Sequence, residues 1–193
     1  MFGTGSQRRS KHSLKIMSEK KNIFVIIGSA RKNSTNEKLI NHFDDLTKDI
    51  FSLKIFKDLN TLPHFNPELS KDNTPNAITE FRKNIENADG IIICTPEYVF
   101  SIPSGLKNGI EWCVSTTVFL DKPIGIITAS ADGEKGHEQL QLIMKTVMAK
   151  FTKETTLLIQ GIGAKISEQG HITDYKTNQG FINFIAAFKN ITN

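Results

Sequence analysis

The sequence predicts a three-layer α/β sandwich around a five-stranded parallel sheet. Three observations predict it. Five short apolar or β-branched runs alternate along the chain with segments of helical period. Two of the runs, Ile23 to Ile27 and Ile91 to Cys94, show neither polar residues nor alternation, as strands covered on both faces do. Both runs stop at residues that end a ladder or loosen the backbone, Gly28 and Thr95-Pro96, and lead through a loop to a helix.

Taken in order, the first strand, Ile23 to Ile27, is followed by the polar loop GSARKNST and a helix from Asn36 to Phe43, with Leu39, Ile40 and Phe43 on one face. Phe51 to Phe56 alternates Phe51, Leu53 and Ile55 against Ser52 and Lys54, which suits a strand at the sheet edge. Asp58 to Lys71 holds Pro63 and Pro67 and reads as irregular. A helix over residues 75–87 places Ile78, Phe81, Ile85 and Ala88 on one side. After the Ile91 to Cys94 strand comes Glu97-Tyr98-Val99-Phe100-Ser101, too apolar for an ordinary solvated connection. Pro103 then opens a helix whose Leu106, Ile110 and Cys113 share a face. Residues 123–128 form a fourth strand, followed by the small-residue loop ASADGEKGH and a helix expected over 139–151. Thr155 to Ile159 is a fifth strand, and a last helix over 176–189 turns Phe181, Phe184, Ile185 and Phe188 inward.

Right-handed crossovers leave few topologies for such a chain, and the flavodoxin-like order 2-1-3-4-5 fits its length and strand count. The loops after Ile27 and Cys94 then face each other at the switch point, where open parallel sheets bind ligands.

Composition narrows the function. The 193 residues form one domain, expected over 21–193, behind a tail over 1–20 read as disordered or as an expression remnant, with Met17 as a natural start. The net charge of +4 belongs to that tail: Arg8, Arg9, Lys11 and Lys15 supply four charges, and removing them leaves a formal charge of zero. No nucleic-acid partner is expected from that distribution, and no run reaches the length of a membrane span. Two isolated cysteines and five scattered histidines give no disulfide framework and no metal spacing, and the cytoplasm is the expected compartment.

The loop after the first strand can hold an anion. Ser29, Ser34, Thr35 and Asn36 offer side-chain donors beside the unpaired amides of a helix start, and Arg31 adds a charge-assisted bond. Ser34 with Glu37 three residues on also reads as a capping box, and one loop can both cap and bind. Neither GxxxxGK[ST] nor GxGxxG is present, which turns the reading from a metal-bound nucleotide or a dinucleotide toward a mononucleotide phosphate. Across the crevice, residues 96–101 and the glycine-containing loop from Ser130 to Gly136 can border a flat ring. A phosphate and a planar ring together describe FMN.

GSxRxxSxN, followed after a strand by TPEYxxSIPxxLKNxIEW, resembles the NADPH-dependent FMN reductase family, which includes quinone, chromate and azo-dye reductases, over about residues 23–188. The resemblance implies that Ser29, Arg31, Ser34 and Asn36, with Thr35 beside them, hold the FMN phosphate. It implies that Pro96, Glu97, Tyr98 and the adjoining Val99 and Phe100 border the isoalloxazine, and that Ser130 and Gly133 touch the flavin. It further implies NAD(P)H as hydride donor, a quinone-like, flavin or other small molecule as acceptor, no dedicated catalytic side chain, and a homodimer or homotetramer using the LKNxIEW helix. Trp112 on that helix is an expected interface residue. The family usually has Asn after PEY, where this chain has Val99. The alternatives are a flavodoxin-type electron carrier, against which the near-zero core charge counts, and a flavin-binding module without reductase activity.

Overall fold

The computed structural model describes residues 19–193. Apart from Glu19 and Lys20, the expected tail lies outside the described residues. The strands β1 (Lys21–Ile27), β2 (Phe51–Phe56), β3 (Gly90–Thr95), β4 (Ile124–Ser130) and β5 (Thr156–Gln160) form one parallel sheet in the order β2-β1-β3-β4-β5. Val25 lies opposite Ile55 on one side and Ile92 on the other, and Cys94 lies opposite Ile127. This is the flavodoxin-like order, with β2 at an edge.

The helices are α1 (Thr35–Thr47), α2 (Asn76–Glu86), α3 (Ser104–Glu111), α4 (Glu134–Thr146) and α5 (Tyr175–Ile191). Side chains of a strand point alternately to opposite faces, and each central strand here serves two cores. Phe24, Ile26, Ile91, Ile93, Ile124 and Ile126 pack with Ile78 and Phe81 of α2, Leu106 and Ile110 of α3, and Leu140 and Met144 of α4. Ile23, Val25, Ile27, Ile92, Cys94 and Ile127 pack with Leu39 and Phe43 of α1 and Phe181, Phe184 and Phe188 of α5. The continuous apolar runs in β1 and β3 reflect this double burial. Each such side chain contributes about 1.5–3 kcal/mol when taken from water.

Helix α4 departs from the sequence expectation at both ends. It starts at Glu134, so the loop after β4 is only residues 131–133, and Lys135, Gly136 and His137 are helical. The low helix propensity of Gly136 is overridden by a tertiary bond, its N–H donating to Glu97 Oε2 at 2.7 Å. At the other end Met148 takes φ 58° and leaves the helix. Lys150 instead joins the sheet margin, its N–H donating to Lys122 O and its carbonyl accepting from Ile124 N–H, both at 2.9 Å.

The strand ends at the switch point are unusually close. Gly28 N–H donates to Cys94 O at 2.8 Å. A Cβ on Gly28 would overlap Thr95 Oγ1 and sit 2.6 Å from Thr95 Cβ. Only glycine permits that approach. Gly28→Ala is therefore expected to cost at least the 1–3 kcal/mol typical of overpacking. A lower urea midpoint at unchanged slope would show it, and an unchanged midpoint would refute the steric argument.

Candidate functional site

Immediately beyond the Gly28–Thr95 contact, α1 departs on one face of the sheet and α3 on the other, and a crevice of about 830 Å³ opens between them. That volume is in the range of small-molecule and cofactor sites. One wall is the β1–α1 loop, residues 28–33, with Ser29 and Arg31. The facing wall is Tyr98 with Pro103, Ser104 and Gly105 at the start of α3. Tyr98 Oη and Ser29 Oγ come within 3.5 Å across the opening.

The β1–α1 loop is folded for a helix start. Ser34 is the N-cap of α1, its Oγ accepting from Glu37 N–H at 3.1 Å. The capping box closes one residue early: Glu37 Oε2 accepts from Asn33 N–H at 3.0 Å, not from Ser34, because Asn33 adopts φ 52°. Glu37 Oε1 is paired with Lys57 at 2.6 Å. Ser29 Oγ accepts from Arg31 N–H at 3.2 Å. The Arg31 guanidinium has neither hydrogen-bond nor ion-pair partner among the described residues, and it lines the crevice. Asn36 is buried and spent on the sheet: its Nδ2 donates to Ala129 O at 3.2 Å and its Oδ1 accepts from Cys94 Sγ at 3.3 Å. Thr35 is the first residue of α1 and half-buried.

The sequence-predicted residues thus fall into distinct groups. Ser29, Arg31 and Tyr98 meet on the crevice. Ser34, Thr35 and Asn36 build the first turn of α1 behind them. Pro96, Glu97, Ser130 and Gly133 form a second cluster, in which Glu97 N–H donates to Ser130 Oγ at 3.3 Å and the Glu97 carboxylate accepts from the amides of Gly133 (3.4 Å) and Gly136. Val99 and Phe100 form the tip of a turn, 94% and 73% exposed.

The third wall was not legible in the sequence. Asp58, Asn60 and His64, from the segment read as irregular, line the crevice together with Lys57 just before it. Helix α3 holds that segment in place. Asn108 Nδ2 donates to Pro63 O at 3.0 Å and its Oδ1 accepts from Phe65 N–H at 2.8 Å, while Trp112 Nε1 donates to Pro63 O at 2.8 Å. Trp112 is wholly buried, with the Phe65 ring set edge-on at 5.3 Å. It is core and does not serve as an exposed interface residue. The signal available in the sequence was the i, i+4 spacing of Asn108 and Trp112, which puts both on one side of α3.

No group of His, Cys, Asp and Glu among the described residues is suited to a metal. Burial pushes the Cys94 thiol well above its ordinary range and that of Cys113 up to about 12, so neither is a nucleophile at neutral pH.

A sequence model of the NADPH-dependent FMN reductases matches residues 21–161. The chain belongs to that family. An NAD(P)H:quinone oxidoreductase of Solanum tuberosum is 32% identical over 162 residues, covering 80% of this chain and 84% of that protein. A quinone reductase of Escherichia coli K12 is 27% identical over 135 residues, covering 68% and 71%. Among solved structures, the flavoenzyme NAD(P)H:(acceptor) oxidoreductase FerB of Paracoccus denitrificans aligns with a TM-score of 0.72 at 26% identity, over 89% of this chain and 97% of that one. This FMN reductase relative is accordingly an oxidoreductase whose cofactors are FMN and NAD(P)H. The crevice fits FMN on its own evidence: a guanidinium unpartnered among the described residues and a helix start lie on one wall, and an aromatic side chain on the other.

Two features of this family member carry predictions. The Tyr98–Ser101 turn is closed by Tyr98 N–H to Ser101 O (2.9 Å) and Ser101 N–H to Tyr98 O (3.1 Å), with Val99 at φ 52° and Phe100 at φ 56°. That is a type I′ turn, which favours Asn and Gly at its centre. A β-branched residue there is strained. The Asn usual in the family suits this conformation. Val99→Asn is therefore expected to stabilise the chain by about 1 kcal/mol, raising Tm by about 2–4 °C. A lower Tm would contradict the turn assignment.

Second, burial holds His137 below the ordinary histidine range, and its Nδ1 lies 2.8 Å from Thr128 Oγ1. His42 is lowered in the same direction by burial and by the neighbouring His171. The unfolded chain thus takes up protons near pH ~6.5 before the folded one does. Stability should be level above that pH and fall as the pH drops below it. His137→Gln should flatten the acid limb in denaturant titrations, and an identical limb would exclude His137.

Proposed function

We propose that this oxidoreductase transfers two electrons from NAD(P)H, through FMN held in the crevice, to a quinone-like or other small acceptor. The observation that carries the reading is the Arg31 guanidinium, without a partner among the described residues and lining the crevice beside the amides of the α1 start. When bound, FMN supplies the hydride chemistry, and the protein contributes binding and orientation.

In this reading the Arg31 guanidinium, Ser29 and the amides at the α1 start bind the phosphate, and α1 adds the positive end of its dipole. Tyr98 orients the ring by contact with its face or edge. Lys57, which lines the same crevice, is paired with Glu37. The segment from Asp58 to His64 and the start of α3 limit the opening, leaving one space for both the nicotinamide and the acceptor. No side chain is required as a general base. Quinones as acceptors are supported by the activities named for the potato and E. coli relatives.

A cytoplasmic location belongs to the same proposal. It is supported by two free, buried cysteines. A homodimer or homotetramer belongs to it as well. Its support passes from the buried Trp112 to exposed apolar side chains such as Val114, Leu142 and Met148.

Arg31→Ala should weaken FMN binding by about 1.5–3 kcal/mol, the worth of a hydrogen bond to a charged group. A fluorescence titration at low salt checks this, and unchanged affinity would remove Arg31 from the site. With a shared space for donor and acceptor, double-reciprocal plots of NADPH oxidation at several quinone concentrations should be parallel. Intersecting lines would mean that both substrates bind together.

A further inference from the structure

Helix α4 lacks a side-chain cap of its own, because its N-cap is Gly133. The first four N–H groups of any helix have no partner within it. Here a residue from another loop supplies one. Glu97 Oε2 accepts from Gly136 N–H at 2.7 Å, and Oε1 is 3.4 Å from Gly133 N. Gly136 is what lets the side chain lie so close: a Cβ there would sit 3.2 Å from Glu97 Cγ and 3.3 Å from Ser101 O. One turn further on, Gln139 Oε1 accepts from Ser101 Oγ at 2.7 Å and from Ile102 N–H at 2.9 Å. The N-cap Gly133 and residues 136 and 139 of α4, three apart, thus share one side, and the β3–α3 loop is fastened along it at both ends of the Tyr98 turn.

Two consequences follow from this arrangement. Tyr98, the side chain that reaches the crevice, is held from behind by α4. The α4 start, which would otherwise present positive potential to the carboxyl edge of the sheet, faces a carboxylate instead.

We infer that Glu97 is a positioning residue of the flavin site, which fixes the Tyr98 turn through α4 and whose charge offsets the α4 N-terminus and so keeps the reduction potential of bound FMN low. The inference rests on the FMN reading above. Reduced flavin carries more negative charge than oxidised flavin, so removing the carboxylate charge favours the reduced form.

The test is the midpoint potential of FMN bound to the native protein and to three variants, with thermal melting in parallel. Glu97→Gln should raise the potential by an amount equal to about a tenfold change in the ratio of reduced to oxidised affinity, or about 30 mV for a two-electron couple. Glu97→Asp, which keeps the charge, should bring the potential back toward the native value. Gln139→Ala, which cuts only the neutral tie, should lower the melting temperature and leave the potential in place. A native potential in Glu97→Gln, or equal shifts in Glu97→Gln and Gln139→Ala, would overturn the charge role. Amide exchange on the flavin-free native protein guards against a variant that does not fold. A protected Gly136 N–H supports the cap, and a freely exchanging one overturns it. Failure of the native protein to bind FMN would defeat the FMN reading and the potential claim with it, whereas the exchange result still reports on the Glu97 cap.

Discussion

The functional end of the molecule depends on how closely β1 and β3 approach before their chains part. Gly28 lies against Thr95 with no room for a side chain, and its N–H closes the last rung to Cys94. From that point one chain enters α1 on the α5 side of the sheet, and the other enters α3 on the α2 side. Two neighbouring parallel strands that send their helices to opposite faces leave a gap between the helix starts. The crevice is that gap. Its floor is set by backbone packing, so its position does not depend on any loop side chain.

The walls depend on support from behind. The Tyr98 turn is fastened to α4 through Glu97 and Gln139, and the segment from Asp58 to Phe65 is fastened to α3 through Asn108 and Trp112. The polar residues that brace the walls are largely separate from those that face the ligand space. Asn36 illustrates the division. Its side chain joins α1 to the ends of β3 and β4, and it serves the anion site by placing the helix start. The strained Val99–Phe100 tip fits the same scheme. Backbone strain of this kind persists where surrounding bonds over-determine the conformation, and the four-residue turn is bonded on both sides.

Much of the fold was legible because its signals are local. Double burial turns β1 and β3 into unbroken apolar runs, and β2 at the edge alternates from Phe51 to Lys54, although Ile55, expected inside, is exposed and Phe56 packs on the core in its place. The order of the sheet then follows from crossover handedness. The anion-suited loop was legible for the same reason, since a helix start with small polar residues is a local pattern. What could not be read locally was tertiary. The start of α4 was displaced because its cap comes from Glu97, more than thirty residues earlier in the chain. The third wall was invisible because residues 57–66 have no period of their own and take their shape from Asn108 and Trp112. Trp112 itself looked like an interface residue because nothing in the sequence shows that Pro63 and Phe65 cover it.

The central claim is that the α1 start and Arg31 recognise the phosphate of a flavin mononucleotide. The most direct measurement is a side-by-side titration of the flavin-free protein with FMN and with riboflavin, which differ only in that phosphate. The account predicts that riboflavin binds at least about a hundredfold more weakly, since two charge-assisted hydrogen bonds of about 1.5–3 kcal/mol each are lost, and that inorganic phosphate competes with FMN. Equal affinities for the two flavins would contradict it.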